Sequence, residues 1–364
     1  MSVKRYGLIG AGMMGYEHIM NLALIDGAKL VAMSDITPNS LAAGLQICAM
    51  AGFEGVATYA DHNAMMDAED LDAVIIASPN FTHHAIVSDL MDMPVAILCE
   101  KPLCTTVEGA RDLADRVAAR DALFWTGLEY RYMPPVARFI ERVHSGEAGE
   151  IKMLSIREHR FPFLQKVGDW NRFSENTGGT LTEKCCHFFD LMRVIMRDEP
   201  VRIYASGAMD VNHKDEVYDG RTPDILDNAY VIVDFKSGGR AVLDLCMFAD
   251  GSEEQEEIYA LGEIGKLDVK IPSGDITWSP RTGFNNPKTP VTEHVKTDEA
   301  AMKAGSHHGA TFFQLTAFHN ALLTGGAPVV SALDGLRSVE MGIAAHRSIE
   351  TGLPVDLDFG CSVI

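Results

Sequence analysis

The segment VKRYGLIGAGMMG, residues 3–15, decides the fold of this chain. Residues 3–9 end in an apolar run and predict a buried β-strand, and the next six carry the spacing G-x-G-x-x-G at Gly10, Gly12 and Gly15. In this spacing the first glycine permits a tight turn and the second lets backbone N–H groups approach a pyrophosphate. The third lets the following helix pack against the strand. The segment therefore predicts a dinucleotide-binding turn, with an ordinary strand–helix turn as the alternative.

An acidic residue stands where such a turn needs one. Asp35 lies twenty residues after Gly15, at the end of the second predicted strand, where a carboxylate can bind both ribose hydroxyls. A carboxylate would repel a 2′-phosphate, and residues 36–38 supply no arginine, so NAD is favoured over NADP. The predicted cofactor-binding residues of this part of the chain are Gly10, Gly12, Met13, Met14, Gly15 and Asp35.

Outward from this turn, residues 1–127 alternate strand-like and helix-like segments. Strand segments that are apolar throughout are typical of a parallel sheet covered by helices on both faces, so we predict an α/β Rossmann domain. The predicted strands are 3–9, 29–34, 57–59, 73–77, 95–99 and 122–127, and the predicted helices are 13–24, 38–51, 82–91 and 105–120.

The pattern changes after residue 127, and residues 128–364 are predicted to form a second, α+β domain. Several of its strand segments alternate polar and apolar residues, which indicates a large, mostly antiparallel sheet. The predicted strands are 151–159, 201–208, 228–235, 240–248, 256–262 and 265–271. The predicted helices are 134–144, a segment ending at 196, 311–324 and 332–351, and the predicted loops are 161–176 and 273–290.

The composition limits the partners. The chain has 364 residues, with 31 Lys and Arg against 51 Asp and Glu, a formal net charge of −20. Such a surface repels phosphate backbones and anionic lipid, so we expect neither a nucleic-acid nor a membrane partner. The N-terminal segment lacks the uninterrupted apolar region of a signal peptide, and a cytoplasmic protein is expected.

The cysteines and histidines do not predict a metal site. The seven cysteines are scattered without a C-x-x-C pair, which favours reduced thiols over a disulfide framework. Cys185, Cys186 and His187 are adjacent, but no second ligand cluster follows at zinc-like spacing.

A lysine directly follows one of the strands of the predicted parallel sheet. The strand 95–99 runs into Glu100, Lys101 and Pro102, and the carboxyl ends of parallel strands line the ligand site of an open α/β sheet. Lys101 is therefore placed to polarise a substrate oxygen; a solvated lysine at a strand end is the alternative.

A histidine with two acidic neighbours follows in the second part of the chain. On a helix, Glu183 and His187 are four residues apart and share a face, and Asp190 is placed to fix the His187 ring. A histidine beside a carboxylate suits a base that accepts an alcohol proton, whereas a Glu–His pair on a helix surface is the alternative.

Taken together, these segments resemble the glucose–fructose oxidoreductase/inositol dehydrogenase/MocA family along nearly the whole chain. The order and spacing of the blocks carry the resemblance more than any block alone. The blocks are GLIGAGMMG, SPNFTHH at 78–84, CEKPL at 99–103, YRY at 130–132, TGGTLTEKCCHFFD at 177–190 and LRSVEMGIAAHRSIETGLPV at 336–355.

The resemblance implies roles for individual residues. Lys101 and His187 are implied to be catalytic, with Glu183 as the supporting carboxylate. The implied cofactor contacts are Ser78, Pro79, Asn80, His83, Glu100 and Lys101, and the implied substrate contacts are Lys101, Arg131, Trp170, Arg172, Glu183 and His187. The resemblance also implies an open-faced second sheet that binds partner subunits, in a homodimer or homotetramer. Independently of it, His159 ends a predicted strand and is a further candidate for substrate binding, or a solvated residue.

The function implied is NAD-dependent oxidation of a secondary hydroxyl of a sugar, inositol or related polyol, or reduction of the corresponding ketone. A non-sugar substrate such as a dihydrodiol or an imine is one alternative, and a non-catalytic dinucleotide-sensing regulatory protein is another. The chain departs from the family pattern where Glu183 replaces the commoner Asp and where Thr177 replaces the first of three glycines. Lys184 either adds a second cation to the pocket or points away from it.

Overall fold

The protein is described by a computed structural model that covers residues 3–359. Its first part is a six-stranded parallel sheet with the order β3-β2-β1-β4-β5-β6. The elements are β1 Lys4–Ile9, α1 Met13–Leu22, β2 Ala28–Ser34, α2 Pro38–Met50, β3 Ala57–Tyr59, α3 His62–Ala68, β4 Ala73–Ile76, α4 His83–Asp89, β5 Ala96–Glu100, α5 Val107–Ala118 and β6 Phe124–Gly127. The strand order reverses between β1 and β4, and a crevice opens there at the carboxyl ends of the strands.

The second part is built on a nine-stranded sheet with the order β14-β13-β12-β11-β7-β10-β9-β8-β15, in which only β7 and β10 pair in parallel. Its strands are β7 Ile151–His159, β8 Pro200–Ala208, β9 Asn228–Phe235, β10 Arg240–Cys246, β11 Glu256–Gly262, β12 Gly265–Ile271, β13 Asp275–Pro280, β14 Val291–His294 and β15 Val355–Asp356. Its helices are α6 Pro134–His144, α7 Ser174–Thr177, α8 Thr180–Glu183, α9 Cys186–Met196, α10 Glu299–Lys303, α11 Ala310–Thr324 and α12 Ala332–Thr351.

One face of this sheet is covered by helices and the other is open. Along β9, Val231 and Val233 are buried in the core, whereas Tyr230 and Ile232 are exposed. Because side chains of a strand alternate between faces, this pattern defines one packed face and one free face. The prediction of a Rossmann domain followed by a mostly antiparallel, open-faced sheet is confirmed.

The last two long helices connect the two parts. Leu315 and Phe318 of α11 pack with Tyr6 and Trp125, which belong to the first sheet. Residues of α12 pack against α5 and also against α9 and β8. A division of the chain at residue 127 therefore remains a prediction, since α11 and α12 contribute to the cores of both parts.

The predicted loop at 273–290 is wrong over its first third. Residues 275–280 form β13, in which Ile276 is fully buried and Trp278 packs against Gly265 of the neighbouring strand. Glycine, proline and asparagine on both sides obscured this short apolar alternation. Helices α3 and α10 and strand β14 were not predicted at all, because each is only four to seven residues long.

Six cysteines are free thiols, and the seventh, Cys361, lies outside the described residues. Within residues 3–359, none of the helices combines the length and apolar character that crossing a membrane requires.

Candidate active site

The three glycines of the first turn each have a separate structural reason. Gly10 has a φ of +97°, and a Cβ there would lie 2.6 Å from the backbone N of Ser78. A Cβ on Gly15 would lie 2.3 Å from the carbonyl oxygen of Gly10. A Cβ on Gly12, by contrast, would meet nothing within 4 Å. Gly12 therefore borders open space at the N-terminus of α1, which is where the turn would hold a pyrophosphate.

Asp35 is held across this turn by backbone groups. Its Oδ2 accepts a hydrogen bond from Ala11 N and its Oδ1 accepts one from Thr37 N, both at 2.8 Å. The carboxylate is thus fixed at the end of β2, where a ribose would lie. The next residue, Ile36, is 89% exposed and offers an apolar surface beside it. These residues fit a dinucleotide.

The segment after β4 forms the opposite wall of the crevice. The hydroxyl of Ser78 is bonded to that of Thr82 at 2.7 Å, and the buried Nδ2 of Asn80 has no hydrogen-bond partner in residues 3–359. His83 is completely buried, with Nδ1 2.8 Å from the carbonyl oxygen of Pro102. His83 therefore braces the loops around the crevice and does not present its ring to it.

Lys101 follows β5 and points towards the second part of the protein. Its Nζ donates a hydrogen bond to the carbonyl oxygen of Glu183, at 3.2 Å. Burial alone would lower the pKa of Lys101, but Cys186, followed by the carboxylates of Glu183 and Glu100, outweighs burial and raises this pKa. The ammonium is therefore charged throughout the physiological range.

His187 is the second residue of α9, four residues after the Glu183 carbonyl that accepts the hydrogen bond from Lys101. Its ring is buried and stacks on the ring of Tyr130, with centroids 4.0 Å apart and planes 8° apart. Nδ1 makes no hydrogen bond to any described residue. Burial, followed by the charges of Lys101 and Lys184, holds the pKa of His187 well below its ordinary range. A neutral imidazole beside a charged ammonium results.

Two expectations about the surroundings of His187 are wrong. A continuous helix was expected from the glycines to Met196, but residues 184–185 form a turn between α8 and α9. Asp190 was expected to fix the His187 ring, whereas its carboxylate is paired with the guanidinium of Arg131. Arginine offers a bidentate partner, which a neutral imidazole does not.

Glu183 itself uses one carboxylate oxygen on another residue. Oε1 accepts a hydrogen bond from Lys166 Nζ at 3.2 Å, and Oε2 has no partner within the described part of the chain. The Lys166 ammonium also lies over the ring of Trp170, 4.5 Å from its centroid. Trp170 packs edge-on against Phe81, beside the cofactor loop, so Trp170 lies at the mouth of the site.

The other predicted substrate contacts each pair with an acidic residue of the protein. Arg131 is committed to Asp190 and Asp334, and Arg172 to Glu216 at 2.8 Å. His159 lies 3.2 Å from Asp244 of the neighbouring strand. In β7 the residue before it, Glu158, is on the helix-covered face, so His159 is on the open face.

Sequence reasoning missed a buried acidic network beside the crevice. The Thr311 hydroxyl lies 2.7 Å from Glu17 Oε1 and 2.6 Å from Glu129 Oε2, and His307 Nδ1 lies 2.9 Å from Glu17 Oε1. The Thr311 hydroxyl carries a single hydrogen, which the two carboxyl groups share. Burial works against an ionised Glu17, but His307 and Thr311 lower its pKa to about 2, whereas burial raises the pKa of Glu129. The surroundings therefore shift the pKa values of these two carboxyl groups in opposite directions.

A second missed cluster lies under Tyr130. The Lys184 ammonium is buried, bonded to the Tyr130 hydroxyl and 2.8 Å from Glu158 Oε1. Glu256 pairs with Glu158 in the register of β11 and β7, and burial, with the charge of Glu158, raises the pKa of Glu256 to about 7. The sequence around these residues could not predict this cluster, because only the register of β11 and β7 brings the carboxyl groups of Glu158 and Glu256 together.

The geometry defines a class of protein: a two-part oxidoreductase in which a lysine at the dinucleotide crevice of the first part meets a histidine of the second part. Sequence comparison identifies the family. Residues 4–128 match the model described as oxidoreductase family, NAD-binding Rossmann fold, and residues 140–357 match the C-terminal alpha/beta domain of the same family. The chain belongs to the Gfo/Idh/MocA oxidoreductase family, and its cofactor is NAD.

Individual relatives extend over nearly the whole chain. A myo-inositol 2-dehydrogenase of Thermotoga maritima is 28% identical, covering 97% of this chain and 98% of the relative. An inositol 2-dehydrogenase of Rhizobium meliloti is 27% identical, with coverages of 95% and 96%.

Solved structures share the fold at lower identity. A myo-inositol dehydrogenase from Corynebacterium glutamicum superimposes with a TM-score of 0.76 at 20% identity, covering 99% of this chain and all of the other. A levoglucosan dehydrogenase in complex with NADH and levoglucosan gives a TM-score of 0.83 at 19% identity, with coverages of 97% and 99%.

Proposed function

We propose that this protein oxidises a secondary hydroxyl of an inositol, a sugar or a related polyol, or reduces the corresponding ketone. One observation carries the proposal. Lys101 is bonded to the carbonyl of Glu183, which brings its ammonium to the segment that holds His187, and the surroundings drive their pKa values in opposite directions. A charged donor beside a neutral base is the pair that alcohol oxidation requires.

Each residue of the site has a separate role in the proposed reaction. NAD, when bound, supplies the acceptor for the hydride that leaves the carbinol carbon. Lys101 donates a hydrogen bond to the substrate oxygen and stabilises the negative charge that develops on it. His187 accepts the hydroxyl proton, and in the opposite direction returns it. Asp35 and the turn at Gly12 orient the cofactor.

The relatives support a polyol substrate. The inositol dehydrogenases of Thermotoga maritima and Rhizobium meliloti align with 97% and 95% of this chain, and levoglucosan, an anhydrosugar, is the ligand named for one structural neighbour. Inositol and levoglucosan both present secondary hydroxyls on a ring.

The open face of the second sheet supports association between copies of the chain. Tyr204, Tyr230 and Ile232 are exposed there, side by side on β8 and β9. An apolar surface of this kind is typical of an interface, so we propose a homodimer or homotetramer. Sedimentation equilibrium tests it, and a monomer would contradict it.

The experiment that tests the reaction is a spectrophotometric screen of NADH formation with inositols, aldoses, sugar acids, glycosides and dihydrodiols, using NAD and NADP in parallel. We expect turnover with NAD and at least one cyclic polyol or sugar. Lys101→Met and His187→Gln should lose turnover while still binding NADH, measured by fluorescence. NADH binding without turnover of any substrate would contradict the proposal and favour a regulatory role.

A further inference from the structure

The two carboxylates nearest to His187 along its chain are occupied elsewhere. Glu183 binds Lys166, and Asp190 binds Arg131. The Nδ1 atom of His187 meets no hydrogen-bond partner in the described chain. A hydrogen bond from a carboxylate therefore does not set the orientation of this imidazole.

The imidazole of His187 stacks on the ring of Tyr130. The two rings are parallel to within 8°, with centroids 4.0 Å apart. Phe188 packs edge-on against the same tyrosine at 5.6 Å, so Tyr130 is confined in the core. A parallel contact between two buried rings restricts rotation of the imidazole about its side-chain bonds.

Tyr130 is in turn fixed at its hydroxyl. That hydroxyl bonds to the Lys184 ammonium, which is paired with Glu158 on β7. Lys184 lies in the turn between α8 and α9, three residues before His187. A continuous line of contacts therefore runs from the sheet through Glu158, Lys184 and Tyr130 to the imidazole.

We infer that Tyr130 is the positioning residue of His187, held in place by Lys184 and Glu158. The inference rests on the proposed function, in which His187 is the base. In this arrangement Tyr130 orients the imidazole of His187, which is the role that the E-x-x-x-H spacing suggests for Glu183.

Positioning by a tyrosine has an electrostatic consequence. A carboxylate on Nδ1 would favour the imidazolium, whereas a tyrosine ring carries no charge, and burial raises the pKa of Tyr130 well above its ordinary value. The charged or titratable groups that act on His187 are Lys101 after β5, Lys184 in the turn, His307 before α11 and Arg160 after β7. Burial, followed by these cations, favours the neutral imidazole, which is able to accept a proton. Glu183 and Asp190, the acidic residues nearest to it in sequence, are held in ion pairs with Lys166 and Arg131.

The test compares Tyr130→Phe, which keeps the ring, with Tyr130→Leu, which removes it. We expect Tyr130→Leu to lower kcat by about 10²-fold with little change in KM, and Tyr130→Phe to lower kcat by less than about tenfold. A loss confined to KM, or equal losses in both variants, would contradict positioning by the ring.

A second readout does not depend on turnover. In histidine-labelled protein, the ring protons of His187, identified by their absence in His187→Gln, should be shifted upfield by the Tyr130 ring current in the wild type and in Tyr130→Phe. The shift should disappear in Tyr130→Leu. The wild-type spectrum decides the question even if Tyr130→Leu does not fold, since an unshifted resonance overturns the stacked geometry. If the His187 resonances are shifted upfield but the protein turns over no substrate, the stacked geometry is supported and the proposed reaction is contradicted.

Discussion

The imidazole of His18 lies 2.7 Å from the carboxylate of Glu100, and both side chains are buried. His18 belongs to α1, the helix that begins at the glycine turn, and Glu100 directly precedes Lys101. Burial opposes both charges, but each group favours the ionised form of the other, which raises the pKa of His18 and lowers that of Glu100. The pair therefore connects the helix that follows the glycine turn to the residue directly before Lys101.

Removing one member of this pair should destabilise the protein in a pH-dependent way. We expect His18→Leu to cost about 3–5 kcal/mol in the free energy of unfolding, because Glu100 is left buried without its partner. Burial then raises the pKa of Glu100, so protonation relieves the cost and the loss should be smaller at pH 5 than at pH 8. Urea denaturation at both pH values measures it.

The control is His62→Leu, which breaks the exposed His62–Asp89 pair. That change should cost less than about 1 kcal/mol at either pH. A loss for His18→Leu that is equally small, or that grows as the pH falls, would contradict a buried ion pair.

Two substitutions in the glycine turn should separate cofactor binding from stability. Gly12→Ala should fold normally, because its Cβ meets nothing within 4 Å, yet it should lose most of the affinity for NADH by filling the space for the pyrophosphate. Gly15→Ala should cost about 1–3 kcal/mol of stability, since its Cβ would lie 2.3 Å from the Gly10 carbonyl oxygen. Thermal unfolding and NADH fluorescence separate the two effects, and full NADH affinity in Gly12→Ala would place the cofactor elsewhere.

Asp35 should set the preference for NAD. We expect Asp35→Ser to weaken NAD binding by about 10- to 100-fold, through loss of hydrogen bonds from the ribose to a charged group. NADP binding should improve, because the repulsion of its 2′-phosphate is removed. Calorimetric titration of both cofactors measures the change, with the exposed Asp67→Asn as a matched control. An unchanged ratio of the two affinities would exclude Asp35 from the ribose site.

The parts of the site that could be predicted from sequence are local. The turn at Gly10, the carboxylate of Asp35 and the strand-end position of Lys101 each follow from a motif within one or two adjacent elements. In such motifs the backbone conformation itself selects the residue, as the positive φ of Gly10 shows.

The other parts of the site could not be predicted from sequence, because they are formed by contacts between segments that are far apart in the chain. His307 and Glu17 are 290 positions apart, and Glu158 meets Glu256 only through the register of two strands. Helical spacing assigned Asp190 to His187, but the arginine of another segment binds that carboxylate. Periodicity identifies which side chains share a face and not which partner from the rest of the fold reaches them.

Lys184 should control the pH dependence of activity. In the proposed reaction His187 must be deprotonated to accept the proton, so kcat/KM should fall as the pH drops through the pKa of His187, which lies well below its ordinary value. Lys184→Met removes one of the cations that hold this pKa down, and we expect the acidic limb to move upwards by about one pH unit. Lys184→Arg keeps the charge and should leave the limb near its wild-type position. A limb that stays fixed in Lys184→Met would mean that Lys184 does not act on the base.

Arg131 distinguishes a structural role from the substrate contact implied by resemblance. Its guanidinium bonds to Asp190 of α9, to Asp334 of α12 and to the carbonyl oxygen of Val329, so it joins three segments of the second part. Arg131→Met should therefore cost about 3–5 kcal/mol in unfolding free energy, because Asp190 is left buried and unpaired, while KM for the substrate of the folded enzyme changes little. The double variant Arg131→Met with Asp190→Leu removes both charges and should recover much of that stability. A large increase in KM without a loss of stability would instead return Arg131 to the substrate pocket.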